Sequence, residues 1–304
     1  MAILAVSDVH LGCSDSDAKS FRAFLSGVTK RKDVEHFVIV GDFVDMWRRD
    51  VSGLFLENYD IVQSLEEIAS KDAPVHYVVG NHDIHLQKLK DHHYPFKFEL
   101  QLPLQVDDAK LIFKHGYDFE KAQVPEICEL LCHNLSDEAG KVRSEFWKWI
   151  TSKPDISKKI DEAIQAMPVI TTKAEFGEDS NKTAYLDYLM AAPSKRIPDK
   201  EVTEEKMVAG AKMSLPFGSV ETRAASEVHD GEILIFGHTH RPFVNNDGRL
   251  ANTGSWMISK GIYNTYIEIN GKDIHLIQFD GAKGKDITKQ NLRNYKVKKS
   301  IISH

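Results

Sequence analysis

The sequence predicts an α/β protein with a largely parallel β-sheet and a helical insertion. Strand-length apolar runs alternate with amphipathic helical stretches in the first third of the 304 residues. A short polar cluster that contains Asp, Asn or His follows each of five such runs. Alternating strands and helices form parallel sheets, which bind ligands at the carboxyl ends of their strands. We therefore expect the five clusters to meet at one edge of the fold.

The predicted strands are rich in Val, Ile and Phe and are short enough to be buried. They cover residues 3–6, 37–40, 75–79, 111–113 and 233–236. Apolar residues at helical spacing predict helices over residues 17–31 and 53–70. Further strands are predicted at 265–269 and 274–279, and Asn246-Asp247-Gly248 indicates a hairpin turn.

Three parts of the chain differ in pattern. Residues 1–123 and 221–281 are predicted to form the core, and residues 282–304 to form a polar, basic, solvated tail. Residues 124–220 are predicted to be a helical insertion, because strand signals are few and prolines punctuate apolar helical stretches. The predicted helices of this insertion cover residues 126–135, 137–150 and 155–167.

Composition narrows the class of protein. With 42% hydrophobic and 28% charged residues the chain has the profile of a globular protein. A net charge of -6 disfavours a large basic surface for duplex nucleic acid. No apolar run reaches the ~18 residues of a membrane-spanning helix, and the N-terminus lacks a signal-peptide pattern. The three cysteines match no disulfide or zinc pattern, so a cytoplasmic location is predicted, with Cys128 and Cys132 in the core.

The first two polar clusters offer carboxylates and a histidine. In Ser7-Asp8-Val9-His10, alternate side chains of an extended segment can face one metal, although a surface turn would explain the pair as well. Gly41 permits a sharp turn before Asp42. Asp42 is the predicted bridge between two cations, because each carboxylate oxygen can bind one of them. Asp45 is either a turn residue or a support for the ligands.

The remaining clusters supply an amide and imidazoles. Asn81 offers a neutral oxygen ligand, and His82 is predicted to be a catalytic proton donor whose ring is oriented by Asp83. An ordinary Asn-His turn is the alternative. His115 follows the fourth strand, and the Gly-His-x-His cluster after the fifth strand can direct two imidazoles into one cavity. Histidines outside these clusters are predicted to be structural.

The five clusters form an ordered set of motifs: Asp-x-His, Gly-Asp-x-x-Asp, Gly-Asn-His-Asp, His-Gly and Gly-His-x-His. This set resembles the motifs of the calcineurin-like metallophosphoesterase superfamily. The following Asn252-Thr253-Gly254-Ser255 resembles the next segment of that superfamily. The resemblance implies a four-layer αββα sandwich, with the helical insertion as a cap. It also implies His82 as the catalytic acid and two metal sites. One site is held by Asp8, His10, Asp42 and His240, and the other by Asp42, Asn81, His115 and His238.

The resemblance also implies the reaction. A metal-bridging hydroxide would hydrolyse a phosphodiester or pyrophosphate bond, since two cations activate a water and neutralise the phosphoryl oxygens. Manganese is the favoured cation, and iron and zinc suit the same mixture of ligands. The expected partner is a phosphorylated small molecule or a nucleotide, with nucleic acid less favoured. A homo-oligomer is compatible with the sequence.

Two segments narrow the resemblance to a branch. Residues 41–47 and 115–119 are similar to UDP-2,3-diacylglucosamine pyrophosphohydrolases, which implies a nucleotide-sugar or nucleotide-lipid substrate. The chain departs at His82, where the bacterial lipid A enzymes carry Arg. Arg48, Arg49 and Arg241 lie beside the motifs and are candidate contacts for a substrate phosphate, with structural or solvated roles as the alternative.

Two other functions fit parts of the pattern. One is a DNA nuclease of the double-strand-break repair type, whose motifs resemble residues 8–12 and, more loosely, 41–45. The acidic balance and the helical insertion disfavour it. The other is a non-catalytic, metal-stabilised interaction protein, in which the metals only brace the fold. Metal binding without hydrolysis in any assay would favour that function.

Overall fold

The structure, a computed structural model, describes residues 2–71, 73–91, 96–120, 219–258 and 261–297, and in addition Pro125, Cys128, Glu129 and Cys132. Within these residues, two β-sheets pack face to face and helices cover their outer faces. This αββα arrangement confirms the predicted fold class. The predicted helical insertion and its cap role lie almost entirely outside the described residues.

The first sheet has seven strands, numbered in chain order. They are β1 (Ala2–Val6), β2 (Val34–Val40), β3 (Val75–Val78), β4 (Phe96–Glu99), β10 (Thr265–Asn270), β11 (Asp273–Phe279) and β12 (Gly284–Asp286). Their spatial order is β12-β11-β10-β1-β2-β3-β4. Strands β1 to β4 run parallel, and β10, β11 and β12 extend the sheet antiparallel. The carboxyl ends of β1, β2 and β3 therefore lie side by side.

The second sheet has six strands. They are β5 (Gln101–Val106), β6 (Ala109–Lys114), β7 (Glu232–Phe236), β8 (Phe243–Asn245), β9 (Leu250–Asn252) and β13 (Leu292–Arg293). Their spatial order is β13-β8-β9-β7-β6-β5, with β6, β7 and β9 parallel. Strands β8 and β9 pair antiparallel across Asn246-Asp247-Gly248, which confirms the predicted hairpin. The short strands β4, β5, β8, β9, β12 and β13 were not predicted.

Among the described residues, four α-helices flank the sheets, together with three short 3-10 helices. The α-helices are α1 (Ala18–Val28), α2 (Val51–Glu57), α3 (Tyr59–Ala69) and α4 (Ser219–Glu227). The 3-10 helices cover Ile84–Leu89, Tyr117–Phe119 and Thr288–Asn291. A single helix was predicted over 53–70, but it is divided at Asn58, whose φ of -124° is not helical. The Asn58 amide donates to the Leu54 carbonyl at 2.8 Å and so ends α2.

Three apolar layers hold the sheets in place. Helix α1 buries Phe21, Phe24, Leu25 and Val28, the face that its helical spacing predicts, on the outer face of the first sheet. The layer between the sheets includes Val38 and Val40 of β2 and, from β6, Phe113. Burial of one such side chain contributes about 1.5–3 kcal/mol. The inner layer fixes the strand ends of one sheet against those of the other.

The C-terminal residues differ from the predicted solvated tail. Residues 284–293 join the edges of both sheets through β12 and β13. Ile287 is buried between the sheets, and the Tyr295 backbone N–H donates to Asn245 Oδ1 at 2.7 Å. These strands are only three and two residues long, so the polar, basic composition concealed them. The core therefore extends past residue 281.

A pair of histidines, His76 buried and His36 partly buried, lies on the face of the first sheet that meets the second, away from the polar clusters. His76 of β3 is 6% exposed, and its Nε2 lies 3.1 Å from Nδ1 of His36 on β2. Burial, reinforced by the charges of His36 and Lys97, lowers the pKa of His76 to about 4. The folded state therefore disfavours the proton that the unfolded chain binds near its ordinary pKa of ~6.5. Stability from neutral His76 is complete above that pH and is lost as the pH falls towards 4.

We expect His76→Gln to reduce the acid sensitivity of the fold. Between pH 7.5 and 5.0 the free energy of unfolding of the wild-type chain should fall by about 2 kcal/mol more than that of the variant. Urea unfolding in chelator-containing buffer measures this difference. His275→Gln is the control, because His275 is exposed and paired with Asp286 at 3.0 Å. Equal acid sensitivity of wild type and His76→Gln would contradict the prediction.

Candidate metal centre

The polar clusters converge at the carboxyl ends of five strands from the two sheets. Asp8 and His10 follow β1, Asp42 follows β2, and Asn81 follows β3. The second sheet contributes side chains after β6 and β7. The seven predicted ligands, all buried, are Asp8, His10, Asp42, Asn81, His115, His238 and His240. The structure thus brings every predicted metal ligand into one region.

Left-handed backbone conformations set the direction of most of these side chains. Positive φ values occur at Asp8 (52°), His10 (50°), Asp42 (51°), His238 (67°) and His240 (55°). Such values are uncommon for residues other than glycine and cost free energy unless the surroundings enforce them. They turn the chain sharply as each strand ends. Strain concentrated at these positions is typical of a functional site.

Gly41 has the role that its position after β2 predicts. Its φ is 84°, and a Cβ there would collide with the His115 ring. The absence of a side chain allows the second sheet to bring His115 against the loop that carries Asp42. His115 Nδ1 lies 2.8 Å from the Val40 carbonyl, so that nitrogen donates to the backbone and Nε2 faces the cluster.

One group of ligand atoms surrounds the side chain of Asp8. Asp8 Oδ1 lies 3.0 Å from His240 Nε2 and 3.8 Å from His10 Nε2. The two imidazole Nε2 atoms are 3.2 Å apart. Asp42 Oδ2 lies 3.6 Å from His10 Nε2 and closes this group. Asp8, His10 and His240 thus form one candidate metal group, and Asp42 adjoins it through His10.

A second group shares Asp42. Asp42 Oδ2 lies 3.2 Å from His115 Nε2, which is also 3.2 Å from Asn81 Oδ1. His238 completes the group, since its ligand atom lies within 4.8 Å of those of Asp42 and His115. The two groups meet at one carboxylate, so a cation in each would be bridged by Asp42.

The two oxygens of Asp42 have different partners within the chain, whereas the sequence predicts that each would bind one cation. Asp42 Oδ1 accepts the backbone N–H of His82 at 2.8 Å, whereas Oδ2 faces both groups. A loop-to-loop hydrogen bond thus orients the carboxylate so that Oδ2 lies near ligand atoms of both groups. The sequence contains no signal for this, because the N–H belongs to the loop after a different strand.

The unpartnered atoms of the cluster fit bound cations. Among the described residues, several buried atoms have no hydrogen-bond partner in the chain. They include Asp8 Oδ1, Asp42 Oδ2 and His238 Nδ1. Burying such atoms without compensation is costly. Two carboxylates, one amide and four imidazoles form a donor set that suits borderline divalent cations.

Within the chain alone, protons supply the positive charge that the carboxylates need. Burial alone would lower the pKa of His10, but Asp45 and Asp8 raise it to about 10. Asp42 similarly overcomes burial and raises the pKa of His115 to about 9. Burial also opposes ionisation of Asp8, yet His240 and His10 hold its pKa well below the usual range. The cluster is therefore built around ionised carboxylates.

His82 lies at the wall of the cluster. Its ring stacks on Trp47 with centroids 3.9 Å apart, and it meets the His10 ring edge-on at 4.7 Å. Its Nδ1 is 3.1 Å from Asp45 Oδ1, while the buried Nε2 has no partner among the described residues. Burial outweighs Asp45 and Asp42 and lowers the pKa of His82 to about 4. The side chain is rigidly held, with one nitrogen available.

Asp45, not Asp83, contacts the His82 ring, which corrects the predicted pairing. Asp83 Oδ2 accepts from the Tyr77 hydroxyl at 2.6 Å and the Phe43 N–H at 2.8 Å. Its Oδ1 accepts the Gly80 N–H at 2.6 Å. Hydrogen bonds to backbone N–H groups and to Tyr77 direct the Asp83 carboxylate away from the His82 ring. Asp83 therefore connects the loops that follow β2 and β3.

Asp45 links a ligand to the candidate catalytic histidine. Its Oδ2 lies 3.2 Å from His10 Nδ1, and it also pairs with Arg48. Burial opposes its ionisation, but His82, His10 and Arg48 outweigh burial and hold its pKa well below the usual range. In the sequence, Asp45 could be identified as the second Asp of the Gly-Asp-x-x-Asp motif. In the structure it contacts the candidate ligand His10 and the candidate catalytic His82.

The three candidate arginines lie in different surroundings. Arg48 Nη1 lies 3.4 Å from His82 Nδ1, and its side chain is 22% exposed. Arg49 pairs with Glu57 on α2. Arg241 Nη1 lies 3.7 Å from Glu221 on α4. Of these three, Arg48 lies beside the candidate catalytic group.

Sequence reasoning missed one acidic residue of the centre. Glu120 Oε2 lies 2.7 Å from His238 Nε2, and both side chains are buried. Glu120 follows the short helix Tyr117–Phe119, where no spacing rule connects it to His238. The two cysteines Cys128 and Cys132 are buried in the core, as predicted, and Cys132 Sγ donates to the His82 carbonyl at 3.3 Å.

The αββα fold and the clustered carboxylate and imidazole ligands define a metal-dependent phosphoesterase. The chain belongs to the calcineurin-like phosphoesterase family, whose profile matches residues 1–242. The resemblance found in the motifs is thereby confirmed. Within the part of the chain that the structure describes, no helix is both long and apolar enough to cross a bilayer.

Curated relatives and solved structures are similar over most of the chain. A UDP-2,3-diacylglucosamine hydrolase from Tolumonas auensis is 23% identical over 291 residues, 91% of this chain and 96% of the relative. A UDP-2,3-diacylglucosamine hydrolase from Escherichia coli is 23% identical, and the match covers 92% of this chain and 99% of the relative. A dimetal phosphatase structure from Danio rerio has a TM-score of 0.44 at 11% identity. The match covers 95% of this chain and 98% of the phosphatase. An archaeal phosphodiesterase structure has a TM-score of 0.38 at 15% identity, and the match covers 91% of this chain and 99% of the phosphodiesterase.

Proposed function

We propose that this chain hydrolyses a pyrophosphate or phosphodiester bond in a nucleotide-linked substrate, with manganese as the favoured cation. The observation that carries the proposal is the convergence of both ligand groups on Asp42 Oδ2, which lies 3.6 Å from His10 Nε2 and 3.2 Å from His115 Nε2. A purely structural cluster would not need such a shared, unpartnered oxygen.

Seven side chains would hold the two cations. The first cation would be held by Asp8, His10, Asp42 and His240, and the second by Asp42, Asn81, His115 and His238. When bound, such a pair lowers the pKa of a water and neutralises charge on the phosphoryl oxygens. The protein's own contribution is to fix the ligand geometry and to exclude competing water, because phosphoryl transfer depends on positioning and electrostatics.

His82 would serve the leaving group. Its Nδ1 faces Asp45 Oδ1, and its unpartnered Nε2 would hold a proton at the leaving oxygen. A bound phosphoryl group brings negative charge, which favours the protonated ring and opposes the effect of burial. Asp83 would act indirectly, by holding the loops that carry Asp42 and Asn81. Arg48, whose Nη1 lies 3.4 Å from His82 Nδ1, is the best placed of the three arginines to contact a second phosphate.

The substrate class rests on the relatives and on one departure from them. Both curated relatives are named UDP-2,3-diacylglucosamine hydrolase, which supports a nucleotide-linked diphosphate. His82 stands where the bacterial lipid A enzymes carry Arg, so this chain lacks one positive charge of that motif. We therefore propose the nucleotide-sugar or nucleotide-lipid class and not that single compound.

A substrate panel tests the proposal. We expect manganese-loaded protein to cleave nucleoside diphosphate sugars at least tenfold faster, in kcat/KM, than aryl phosphomonoesters, with aryl phosphodiesters between them. Phosphate release after a coupled phosphatase step gives the rates for nucleoside diphosphate sugars, and direct release of the aryl alcohol gives the rates for the aryl esters. Cleavage of single-stranded DNA above all others would instead identify a nuclease. Bound manganese with no turnover on any of the four substrate types would show a metal-stabilised interaction protein.

A further inference from the structure

Glu120 and His238 form a buried carboxylate–imidazole contact at the second ligand group. Glu120 Oε2 and His238 Nε2 are 2.7 Å apart, and only 7% of Glu120 is exposed. Glu120 comes from the loop after β6 and His238 from the loop after β7, two neighbouring parallel strands. The contact therefore links two separate segments at the rim of the second sheet.

The other nitrogen of this imidazole, Nδ1, is not engaged by Glu120. His238 Nδ1 is buried without a hydrogen-bond partner among the described residues, and His238 shares a ligand group with Asp42 and His115. A neutral imidazole carries one N–H and one lone pair. Because a carboxylate can only accept at Nε2, the proton is held there and the lone pair lies on Nδ1.

We infer that Glu120 is a positioning residue that fixes the His238 tautomer and ring orientation for the second cation. The inference rests on the proposed function for the presence of that cation. His115 provides an internal comparison, since its Nδ1 donates to the Val40 carbonyl at 2.8 Å and presents Nε2. Both imidazoles of the second group are thus held from outside, one by a neutral carbonyl and the other by a carboxylate.

The difference between these two acceptors has a chemical consequence. A carboxylate behind an imidazole raises the basicity of the ligating nitrogen and restrains the ring. It also adds negative charge beside a group that otherwise contains one carboxylate, Asp42, and one neutral amide, Asn81. Loss of such an outer partner weakens metal binding by roughly 10–100-fold. Glu120 would therefore set the affinity of the second cation relative to the first.

Two substitutions in the full chain test this role. Glu120→Leu removes the acceptor, whereas Glu120→Gln retains an acceptor and loses the charge. We expect Glu120→Leu to weaken binding of the second Mn²⁺ about 10–100-fold and Glu120→Gln by less, with first-site affinity within about threefold of wild type. Competition with a chelator measures both affinities. The spectroscopic signature is replacement of the spin-coupled Mn²⁺ pair by a mononuclear spectrum at a concentration that fills both wild-type sites.

Glu232→Gln is the matched control, because Glu232 is a partly buried residue of β7 that pairs with Lys110 at 3.1 Å. It should retain the coupled pair. Glu120→Leu protein that binds both cations with wild-type affinity would overturn the inference, even if turnover fell. So would a loss of metal-free folding stability with unchanged second-site affinity, since that indicates a packing role alone. A wild-type chain without a coupled pair would overturn the proposed function itself.

Discussion

The variant Asp42→Asn is expected to lose on the order of 10³-fold or more in kcat/KM, about 4 kcal/mol of transition-state stabilisation. The amide cannot satisfy both sides of this position. With its oxygen on the His82 N–H, which the carboxylate accepts at 2.8 Å, the NH₂ group points at the ring nitrogens of His10 and His115. With the orientation reversed, two N–H donors face each other. Either orientation removes the bridging charge.

Metal content and kcat/KM, measured on the same preparations, check this prediction. The control is Asp107→Asn, because Asp107 has a φ of 52°, nearly that of Asp42 at 51°, but is exposed in the turn between β5 and β6. This control measures the effect of an Asp-to-Asn change in left-handed backbone at a position away from the ligand cluster. Asp42→Asn protein that binds two cations and retains activity within tenfold of wild type would contradict the bridging assignment.

The variant His82→Ala is expected to keep both cations and to lose about 10²–10⁴-fold in kcat, the range for a general acid. Its Nδ1 is turned to Asp45 Oδ1, and neither nitrogen belongs to the two groups that meet at Asp42. Asp45 retains His10 and Arg48 as partners when the ring is removed. The ligands should therefore stay in place while the proton donor is lost.

The leaving group separates proton donation from positioning. Substrates whose leaving oxygen needs no proton, such as activated aryl phosphodiesters, should lose much less rate in His82→Ala than substrates with alkyl leaving groups. His82→Asn supplies an N–H for Asp45 but nothing at the Nε2 position, so it should restore stability and not turnover. His275→Ala is the exposed control. An empty metal site in His82→Ala would show that the histidine is a ligand and that the division of roles is wrong.

The fold could be predicted where periodicity is long and regular. The buried strands β1, β2, β3, β6 and β7 and the apolar face of α1 all follow from their residue patterns. The unpredicted strands other than β5 are two to four residues long, which carries too little periodicity, and their pairing comes from neighbours. The same reason explains residues 284–293, whose polar composition predicted a tail. The break at Asn58 depends on one side-chain hydrogen bond to Leu54.

The sequence alone identified the candidate ligands and their order. Each ligand directly follows a strand, so local pattern and parallel topology were enough to bring Asp8, Asp42 and Asn81 to one edge. Tertiary structure decided which atom of Asp42 faces the other candidate ligands, and which residues contact the ligands from outside. Asp42 presents a single oxygen because a distant loop N–H occupies the other, and Asp45 rather than Asp83 reaches His82. Glu120 meets His238 across 118 residues of sequence, a contact that depends on β6 and β7 being neighbours.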